Sequence, residues 1–285
     1  MQIPLTAADI SLLISTFNWP AALRLCLLSV ERLHPLPGEV LIADDGSGTD
    51  TADLIAAFQA RFPIPLRHIW QPDEGFQLAR IRNKAIAAAK GCYIIQIDGD
   101  QLLHPRFVAD HLRLAKPGCF ITGSRVLLNP AFSAHLQQLQ TIPHKATLLQ
   151  RRHFFNGLHV PVLQQYFATR YKVEGKHRYH VKGSNMSFWK EDLTRVNGYN
   201  EAFTGWGKED TEIAIRLLNA GVKKLSLKLG GICYHLHHKE ASRIQEAENN
   251  RLMEAAMASG VSWCEVGIQQ YLSVADGSTR PSFPV

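Results

Sequence analysis

The chain has 285 residues, 46% of them hydrophobic, and a formal net charge of +6. A chain of this length and hydrophobic content can form one large domain or two fused halves with a buried core. The positive charge favours anionic partners such as nucleotides, phosphoglycans or an acidic membrane face. No window approaches the roughly 18 apolar residues of a membrane span. The start lacks signal-peptide features and the five scattered cysteines are typical of reduced thiols, so we expect a cytoplasmic protein.

The first 130 residues alternate strand and helix patterns. The predicted strands span 10–15, 39–43, 66–70 and 93–97, and the predicted helices span 19–33, 51–62 and 75–90. This order indicates an α/β fold, with a mostly parallel sheet covered by helices on both faces. Ligands of such sheets lie beyond the carboxyl ends of the strands. The polar residues at those predicted ends are Ser15, Asp44, Asp45, Asp98 and Asp100.

The second part of the chain is less regular. Residues 129–180 are rich in Gln, His, Arg and aromatic residues, and are either a solvated insertion or a mobile, membrane-facing lid. Beyond them, the patterns predict strands at 179–188, 224–229 and 232–236 and helices after Lys208 and at 240–259. We therefore divide the chain into a nucleotide-binding half (1–128), the insertion (129–180), a second half of the same domain (181–240) and a C-terminal helix and tail (241–285).

Two acidic turns carry the nucleotide and metal predictions. Asp44 and Asp45 open an Asp-Gly turn, a common turn pair, but after a buried strand such a carboxylate can accept from a base N–H or a ribose hydroxyl. No Gly-x-Gly-x-x-Gly or Walker A sequence follows the first strand. Asp98 and Asp100 leave the fourth strand on one face. Two such carboxylates repel unless a cation lies between them.

The metal site needs an imidazole in addition to these carboxylates. Oxygen ligands with one imidazole suit Mn²⁺ or Mg²⁺. His235, His237 and His238 follow the last predicted strand, and Lys239 next to them suits a phosphate. Strand alternation puts His235 and His237 on one face, but the spacing does not decide between them.

Arg82 interrupts the apolar face of the third predicted helix. That face consists of Leu78, Ile81, Ala85, Ile86 and Ala89. A buried guanidinium requires a carboxylate or phosphate partner. One interpretation is an internal salt bridge to Asp44, Asp45 or Asp98. The other is that Arg82 braces the aspartates that hold a nucleotide, and the two are compatible.

A turn rich in glycine and acid precedes the helix after Lys208. Gly205 and Gly207 allow the backbone and the Trp206 indole to approach a ligand closely, and an indole offers a flat apolar face to a pyranose ring. Glu209 and Asp210 lie at the helix N-terminus, where the dipole favours ionised carboxylates. The alternative is that these two acids only cap the helix.

These motifs together make the chain resemble glycosyltransferase family 2, whose members have the GT-A fold. SLLISTFN is similar to the first strand of the family, ADDGS to its nucleotide turn, and ARIRNKAIAAAKGCYIIQIDGD to the helix and strand before its metal motif. The segment KGSNMSFWKEDLTRVNGYNEAFTGWGKEDTEIAIRLLNAG resembles the acceptor half of chondroitin polymerase domains and of galactosyl- and N-acetylgalactosaminyltransferases. The resemblance covers about residues 9–240 and leaves 129–180 unmatched.

The resemblance implies a role for each motif residue. The fold would be a Rossmann-like, mostly parallel sheet with a smaller acceptor-side sheet. The implied nucleotide-binding residues are Ser15, Asp44, Asp45, Arg82, Asp98 and Lys239, with Ser15 and Asp45 near the uracil. The implied metal ligands are Asp98, Asp100 and His235. Asp210 would be the catalytic base and Glu209 would bind acceptor hydroxyls, with Trp206, Gly205, Gly207 and Asn185 in the substrate site.

The function that follows is inverting, metal-dependent transfer of a hexose or N-acetylhexosamine from a UDP-sugar. The acceptor would be a glycan or glycolipid in bacterial surface polysaccharide synthesis (lipopolysaccharide, capsule or exopolysaccharide). Partners would include an anionic membrane at its inner face but no nucleic acid. One alternative, a sugar-1-phosphate nucleotidyltransferase, would need a Gly-rich loop after the first strand, which STFNWPAALR lacks. A non-catalytic carbohydrate-binding protein would have no reason to combine Asp98, Asp100, His235 and Asp210.

Overall fold

The computed structural model describes residues 4–142, 151–152, 154–239 and 242–275. The strands are β1 (Ile10–Thr16), β2 (Glu39–Asp44), β3 (Leu66–Trp70), β4 (Tyr93–Asp98), β5 (Gln101–Leu103), β6 (Cys119–Thr122), β7 (Arg125–Leu128), β8 (Arg151–Arg152), β9 (Asn185–Trp189), β10 (Lys223–Ser226) and β11 (Cys233–His235). The helices are α1 (Pro20–Val30), α2 (Thr49–Gln59), α3 (Leu78–Ala88), α4 (Phe107–Leu114), α5 (Pro130–Leu139), α6 (Pro161–Ala168), α7 (Lys190–Arg195), α8 (Glu209–Asn219), α9 (Glu246–Ser259) and α10 (Gln269–Ala275).

A seven-stranded sheet in the order β10-β6-β9-β4-β1-β2-β3 forms the centre of the molecule. Its pairs are parallel except at β9, which runs antiparallel to β4 and β6. Helices α1, α2 and α4 pack on one face, whereas α3 and α8 pack on the other. Continuous apolar runs such as ISLLIS therefore lie in strands covered on both sides, which confirms the predicted α/β class.

A smaller sheet, in the order β5-β11-β7-β8, stands beside the carboxyl end of β4. β11 pairs antiparallel with β5 and parallel with β7. The sequence suggested that 224–229 and 232–236 form a strand pair, but β10 belongs to the large sheet and β11 to the small one. The small sheet thus joins the chain just after Asp100 to the histidine-rich segment, because His235 pairs with Gln101.

Three differences from the predicted elements have local causes. Helix α3 begins at Leu78 rather than Gly75, because the backbone N–H of Gln77 donates to the Asp45 carboxylate. The unpatterned residues 129–180 contain α5 and α6 in their described part. Helix α9 begins at Glu246 rather than at residue 240, and the described part of the following tail packs on the core through the buried Ile268. Residues 276–285 lie outside the described residues.

Candidate active site

The Asp44-Asp45 turn is held by internal hydrogen bonds. Asp44 is fully buried, accepting from the Ser47 N–H at 2.9 Å and lying 2.8 Å from Nε2 of His68. Asp45 accepts from the Gln71 amide at 2.6 Å and from the Gln77 N–H at 2.8 Å. These hydrogen bonds therefore fix the conformation of the turn at the carboxyl end of β2 without any contact to a ligand.

Arg82 lies at the centre of the site and is 1% exposed. Its Nε donates to the Ser15 hydroxyl at 3.3 Å, and its two terminal nitrogens lie 3.1 Å from carboxylate oxygens of Asp98 and Glu209. Of the predicted partners, Asp98 forms the salt bridge, while Asp44 and Asp45 have other donors. The guanidinium thus joins the ends of β1 and β4 to the first residue of α8.

Three acidic groups share this single cation. Burial, together with the neighbouring Asp210 carboxylate, raises the pKa of Glu209 to about 7 despite its contact with Arg82. Burial also raises the pKa of Asp98, and Asp100 adds to this effect. The physical reason is that one guanidinium cannot neutralise several carboxylates in a low-dielectric environment.

A candidate metal centre is formed by Asp100, His235 and His238, whose ligand atoms all lie within 4.8 Å of one another. Oδ2 of Asp100 is 3.3 Å from Nε2 of His235 and 3.1 Å from Nε2 of His238. The geometry favours His235 over His237 and adds His238, which we did not predict as a ligand. Asp98 is not part of this group among the described residues, because its carboxylate faces Arg82.

The chemistry of these groups fits a divalent cation. The second oxygen of Asp100, Oδ1, is buried without a hydrogen-bond partner. Burial lowers the pKa of His235 to about 4, which keeps its imidazole neutral. Nδ1 of His238 donates to the Lys239 carbonyl at 2.7 Å, leaving Nε2 as the metal-facing nitrogen. One carboxylate and two imidazoles suit a divalent cation of the first transition row, a class that includes Mn²⁺.

Asp210 is positioned by a loop glycine in the second half of the chain. Its Oδ2 accepts from the Gly183 N–H at 2.8 Å, and its Oδ1 accepts from the Thr211 hydroxyl at 3.2 Å. The Gly183 carbonyl in turn accepts from the Gln96 amide at 2.6 Å. A Cβ at position 183 would lie 3.1 Å from Cβ of Asp210. The carboxylate is therefore fixed close to the backbone of the segment before β9.

The Gly205-Trp206-Gly207 turn leads the chain into α8. Gly205, Gly207 and Lys208 all have positive φ angles, so the turn requires backbone conformations that glycine adopts without strain. Trp206 remains 39% exposed. The Arg243 guanidinium lies 4.8 Å from its ring centre, and the Asn249 amide donates to its carbonyl. The indole is thus a partly open surface beside Glu209 and Asp210.

Two of the predicted site residues, Asn185 and Lys239, make contacts other than those we predicted. Asn185 is fully buried; its amide donates to the carbonyls of Ser124 and Gly231 and its oxygen faces Nε2 of His111. We predicted a substrate contact there, but the side chain instead joins the two sheets. Lys239 is exposed, and its carbonyl holds the His238 imidazole.

The sequence reasoning missed Gly183 and His238. Gly183 could have been noticed only through the resemblance of KGSNMSF to an acceptor segment, because nothing in its spacing links it to Asp210. His238 lies outside the period-two pattern that we used, since β11 ends at His235 and the chain then turns back toward Asp100.

Comparisons with known proteins identify the family of the chain. Residues 11–191 match the family described as glycosyl transferase family 2, and residues 164–239 match the N-terminal domain of galactosyltransferase. A chondroitin synthase from Escherichia coli is 26% identical over 79% of the chain, and a hyaluronan synthase from Pasteurella multocida is 28% identical over 74%. The chain spans only 34% and 23% of these two relatives.

Solved structures show the same fold. Staphylococcus aureus TarS, residues 1–349, has a TM-score of 0.58 at 14% identity, covering 93% of this chain and 69% of that one. A mannosyltransferase from Pyrobaculum calidifontis, solved with GDP-Man and Mn²⁺, has a TM-score of 0.56 at 16% identity, with coverage of 95% and 76%. The family match covers well over half of the chain. The chain therefore belongs to glycosyltransferase family 2 and is a glycosyltransferase of the GT-A fold.

Proposed function

We propose that the protein is an inverting, metal-dependent transferase that moves a hexose or N-acetylhexosamine from a UDP-sugar to a glycan or glycolipid acceptor. The observation that carries the proposal is that Arg82 connects the donor-side Ser15 and Asp98 to Glu209, next to Asp210. A donor bound at the strand ends would thus have its anomeric carbon near a positioned carboxylate.

The donor half of the site is supported by residues at strand ends. Ser15, Asp44, Asp45 and Arg82 lie at or beside the carboxyl ends of β1 and β2, where nucleotides bind in such sheets. TarS has been solved with UDP and with UDP-GlcNAc. We infer a UDP-linked donor here from the shared fold and these polar groups, with Lys239 available near the diphosphate.

We infer that Asp100, His235 and His238 hold Mn²⁺ or Mg²⁺, the buried Oδ1 of Asp100 being available as a further ligand atom. When bound, a divalent cation stabilises the charge of a departing diphosphate. Asp98 faces the ribose side through its contact with Arg82. This assignment replaces the predicted ligand Asp98 by His238.

We infer that Asp210 is the general base. Its hydrogen bond from Gly183 fixes one oxygen and leaves the other bonded only to a hydroxyl, so that a proton can be taken from an attacking acceptor hydroxyl. Glu209 would bind acceptor hydroxyls and Trp206 would stack on the acceptor ring. Attack from the face opposite the diphosphate inverts the anomeric centre and needs no covalent intermediate.

The division of the chain follows from this assignment. We propose that residues 1–128 bind the donor, 181–240 provide the base and acceptor surface, 129–180 contribute to acceptor binding, and 241–285 support the Trp206 turn. The relatives named as polysaccharide synthases favour bacterial surface polysaccharide synthesis, at the inner face of the cytoplasmic membrane. None of the described helices is long and apolar enough to cross a membrane.

The test is UDP release by the purified protein with Mn²⁺ and a panel of UDP-sugars and acceptors. With an active pair, Asp210→Asn keeps the shape but removes the basicity, so kcat should fall roughly 10²- to 10⁴-fold with donor affinity little changed. Asp53→Asn, at an exposed position of α2, is the control. A near wild-type rate for Asp210→Asn, or product that retains the anomeric configuration by NMR, would contradict the proposal.

A further inference from the structure

A cavity of about 350 Å³ lies beside Asp210, between the ends of β6 and β10 and the insertion. Its basic lining consists of Arg125, Lys172, His180, Lys182, Lys224 and Lys228. No aspartate or glutamate is among the residues that line it in the described part of the chain. The cavity is therefore strongly positive and has no internal counter-charge.

The basic groups repel one another in the present arrangement. Burial and the neighbouring Arg125 lower the pKa of Lys182. Burial, with Lys172 nearby, lowers the pKa of Lys224 to about 8. The Lys224 ammonium donates to the carbonyls of His177 and His180, so it stabilises the wall of the cavity. The remaining cations would gain from an anion placed among them.

Two of these cations are directed to the cavity by neutral partners. The Lys228 ammonium lies 2.7 Å from the Asn156 amide oxygen and 5.3 Å from the centre of the Tyr171 ring. Arg125 makes one long hydrogen bond, 3.4 Å, to the Ser184 hydroxyl. Neither forms a salt bridge among the described residues, although Arg125 is close enough to Asp98 to lower the pKa of that carboxyl. Both charges thus lack a paired carboxylate.

The cavity is continuous with the reaction centre. Val181 and Lys182 line it and directly precede Gly183, which holds Asp210. Arg125 opens β7 opposite Cys233, two residues before the metal-side His235. A sugar whose hydroxyl or anomeric carbon lies near Asp210 can therefore extend a substituent into the cavity.

We propose that this cavity binds the carboxylate or phosphate of an acidic sugar substrate and so selects that substrate over its neutral counterpart. The inference rests on the proposed transferase function. The anionic group can belong to the acceptor or to the transferred sugar. In both cases Arg125 and Lys228 make charge-assisted hydrogen bonds to it, which neutral sugars cannot receive.

The experiment compares matched acidic and neutral ligands by calorimetry on the full chain. The acceptor arm uses glucuronic acid, glucose 6-phosphate and glucose, each with saturating UDP and Mn²⁺. The donor arm uses UDP-glucuronic acid and UDP-glucose with Mn²⁺. We expect the acidic member of one arm to bind about tenfold tighter than its neutral partner, as one or two such hydrogen bonds would give. The arm that shows the preference identifies which substrate carries the anion.

Arg125→Gln and Lys228→Gln should each abolish the preference. Lys228→Gln should also leave the affinity for UDP unchanged, which shows that this variant folds. Lys223→Gln, in β10 but outside the cavity lining, should retain it. Equal binding of acidic and neutral ligands in both arms would overturn the proposal. So would a loss of UDP affinity in Lys228→Gln, because the cavity would then serve the diphosphate. An intact preference without UDP release from any tested pair would leave the cavity assignment standing and would contradict only the proposed donor and acceptor.

Discussion

The arrangement around Arg82 explains how several acids can coexist at one reaction centre. Buried carboxylates are tolerated when a cation is hydrogen-bonded to them, and Arg82 contacts both Asp98 and Glu209. Its guanidinium also lies 5.4 Å from the centre of the Tyr199 ring, so its faces are covered as well. Asp98 is also stabilised by Arg125, whereas burial and the neighbouring Asp210 outweigh the effect of Arg82 on Glu209. The shortage of positive charge is therefore clearest at Glu209.

The raised pKa of Glu209 makes stability depend on pH. Between its ordinary value of 4.5 and the folded value of about 7, the folded protein holds a proton that the unfolded chain has released. The unfolded state then binds fewer protons, so this contribution to the free energy of unfolding falls as pH rises through the window. The groups facing Glu209 are Arg82, Asp210 and Asp98.

Glu209→Gln removes this dependence. We expect urea unfolding to show that the variant gains stability relative to wild type between pH 5 and pH 8. Glu31→Gln, in a surface ion pair with Arg61, should show no such gain. If the difference in the free energy of unfolding between wild type and Glu209→Gln is the same at pH 5 and pH 8, Glu209 is ionised throughout that range.

The metal assignment can be tested on the three neighbouring histidines. His235→Ala and His238→Ala should each raise the Mn²⁺ concentration needed for UDP binding about tenfold or more, an effect at least as large as that of altering outer-shell partners. Asp100→Ala should abolish the Mn²⁺ dependence. His237→Ala is the control, because His237 is exposed and, within the described part of the chain, its backbone N–H donates to the Ser133 hydroxyl while its imidazole is not among the metal-facing groups. If calorimetry shows that His237→Ala needs the highest Mn²⁺ concentration for UDP binding, the assignment of the metal ligands is wrong.

At the scale of elements, the segment before β9 is what connects the acidic helix to the central sheet. Tyr199 donates to Gln96, Gln96 donates to the Gly183 carbonyl, and the Gly183 N–H donates to Asp210. Gln96 lies in β4, so these hydrogen bonds position Asp210 relative to the same strand that ends in Asp98. These hydrogen bonds add to the packing of Ile213 and Ala214 of α8 in the core.

Gly183→Ala tests this positioning. The added methyl would lie 3.1 Å from Cβ and 3.3 Å from Oδ2 of Asp210 and 3.4 Å from the Arg82 guanidinium, so the carboxylate must shift by a few tenths of an ångström. We expect kcat to fall roughly tenfold to a hundredfold, as small misplacements of catalytic groups do, with the affinity for UDP unchanged. Steady-state kinetics with a wild-type kcat would show that the contact is dispensable.

The parallel sheet and the polar residues at its strand ends were predictable because both follow from local hydrophobic patterns. That Arg82 has an acidic partner was predictable, since a buried cation needs an acid at the end of a neighbouring strand, but the pattern left Asp44, Asp45 and Asp98 open and the structure selects Asp98. The Arg82–Glu209 contact was not, because the two residues are 127 apart and no pattern pairs them. The histidine ligands were only half predictable, because alternation applies within β11 and fails once the strand ends at His235.

At the scale of the whole molecule, the insertion presents an exposed apolar surface close to basic side chains. Val162 is 83% exposed and Tyr166 56%. The Arg170 guanidinium lies 4.5 Å from the Tyr166 ring centre, and Lys172 follows two residues later. Aromatic and aliphatic groups beside cations suit the boundary of an anionic bilayer. Two further basic residues of the insertion, Arg151 and Arg152, form strand β8, and His153 lies outside the described residues.

We expect weak, salt-sensitive binding to anionic vesicles, at about 1 kcal/mol per basic residue near the surface. Sedimentation with phosphatidylserine vesicles should show binding at low salt that is lost at high salt, and lost in Val162→Glu. Ile244→Glu, a substitution at a similarly exposed apolar residue, should bind as wild type does. No binding at low salt would leave the insertion as a solvated segment.

The small sheet has a consequence for altering specificity. The backbone ladder of β5, β11 and β7 holds Gln101, His235 and Leu127 side by side, so a one-residue slip of β11 would turn His235 to the wrong face, and a slip of β7 would do the same to Arg125. Asn156 and Lys172 reach the same cavity from the insertion, outside that ladder. Variants with a new sugar preference should therefore be sought by randomising these two insertion positions, which leaves the register of the metal centre intact.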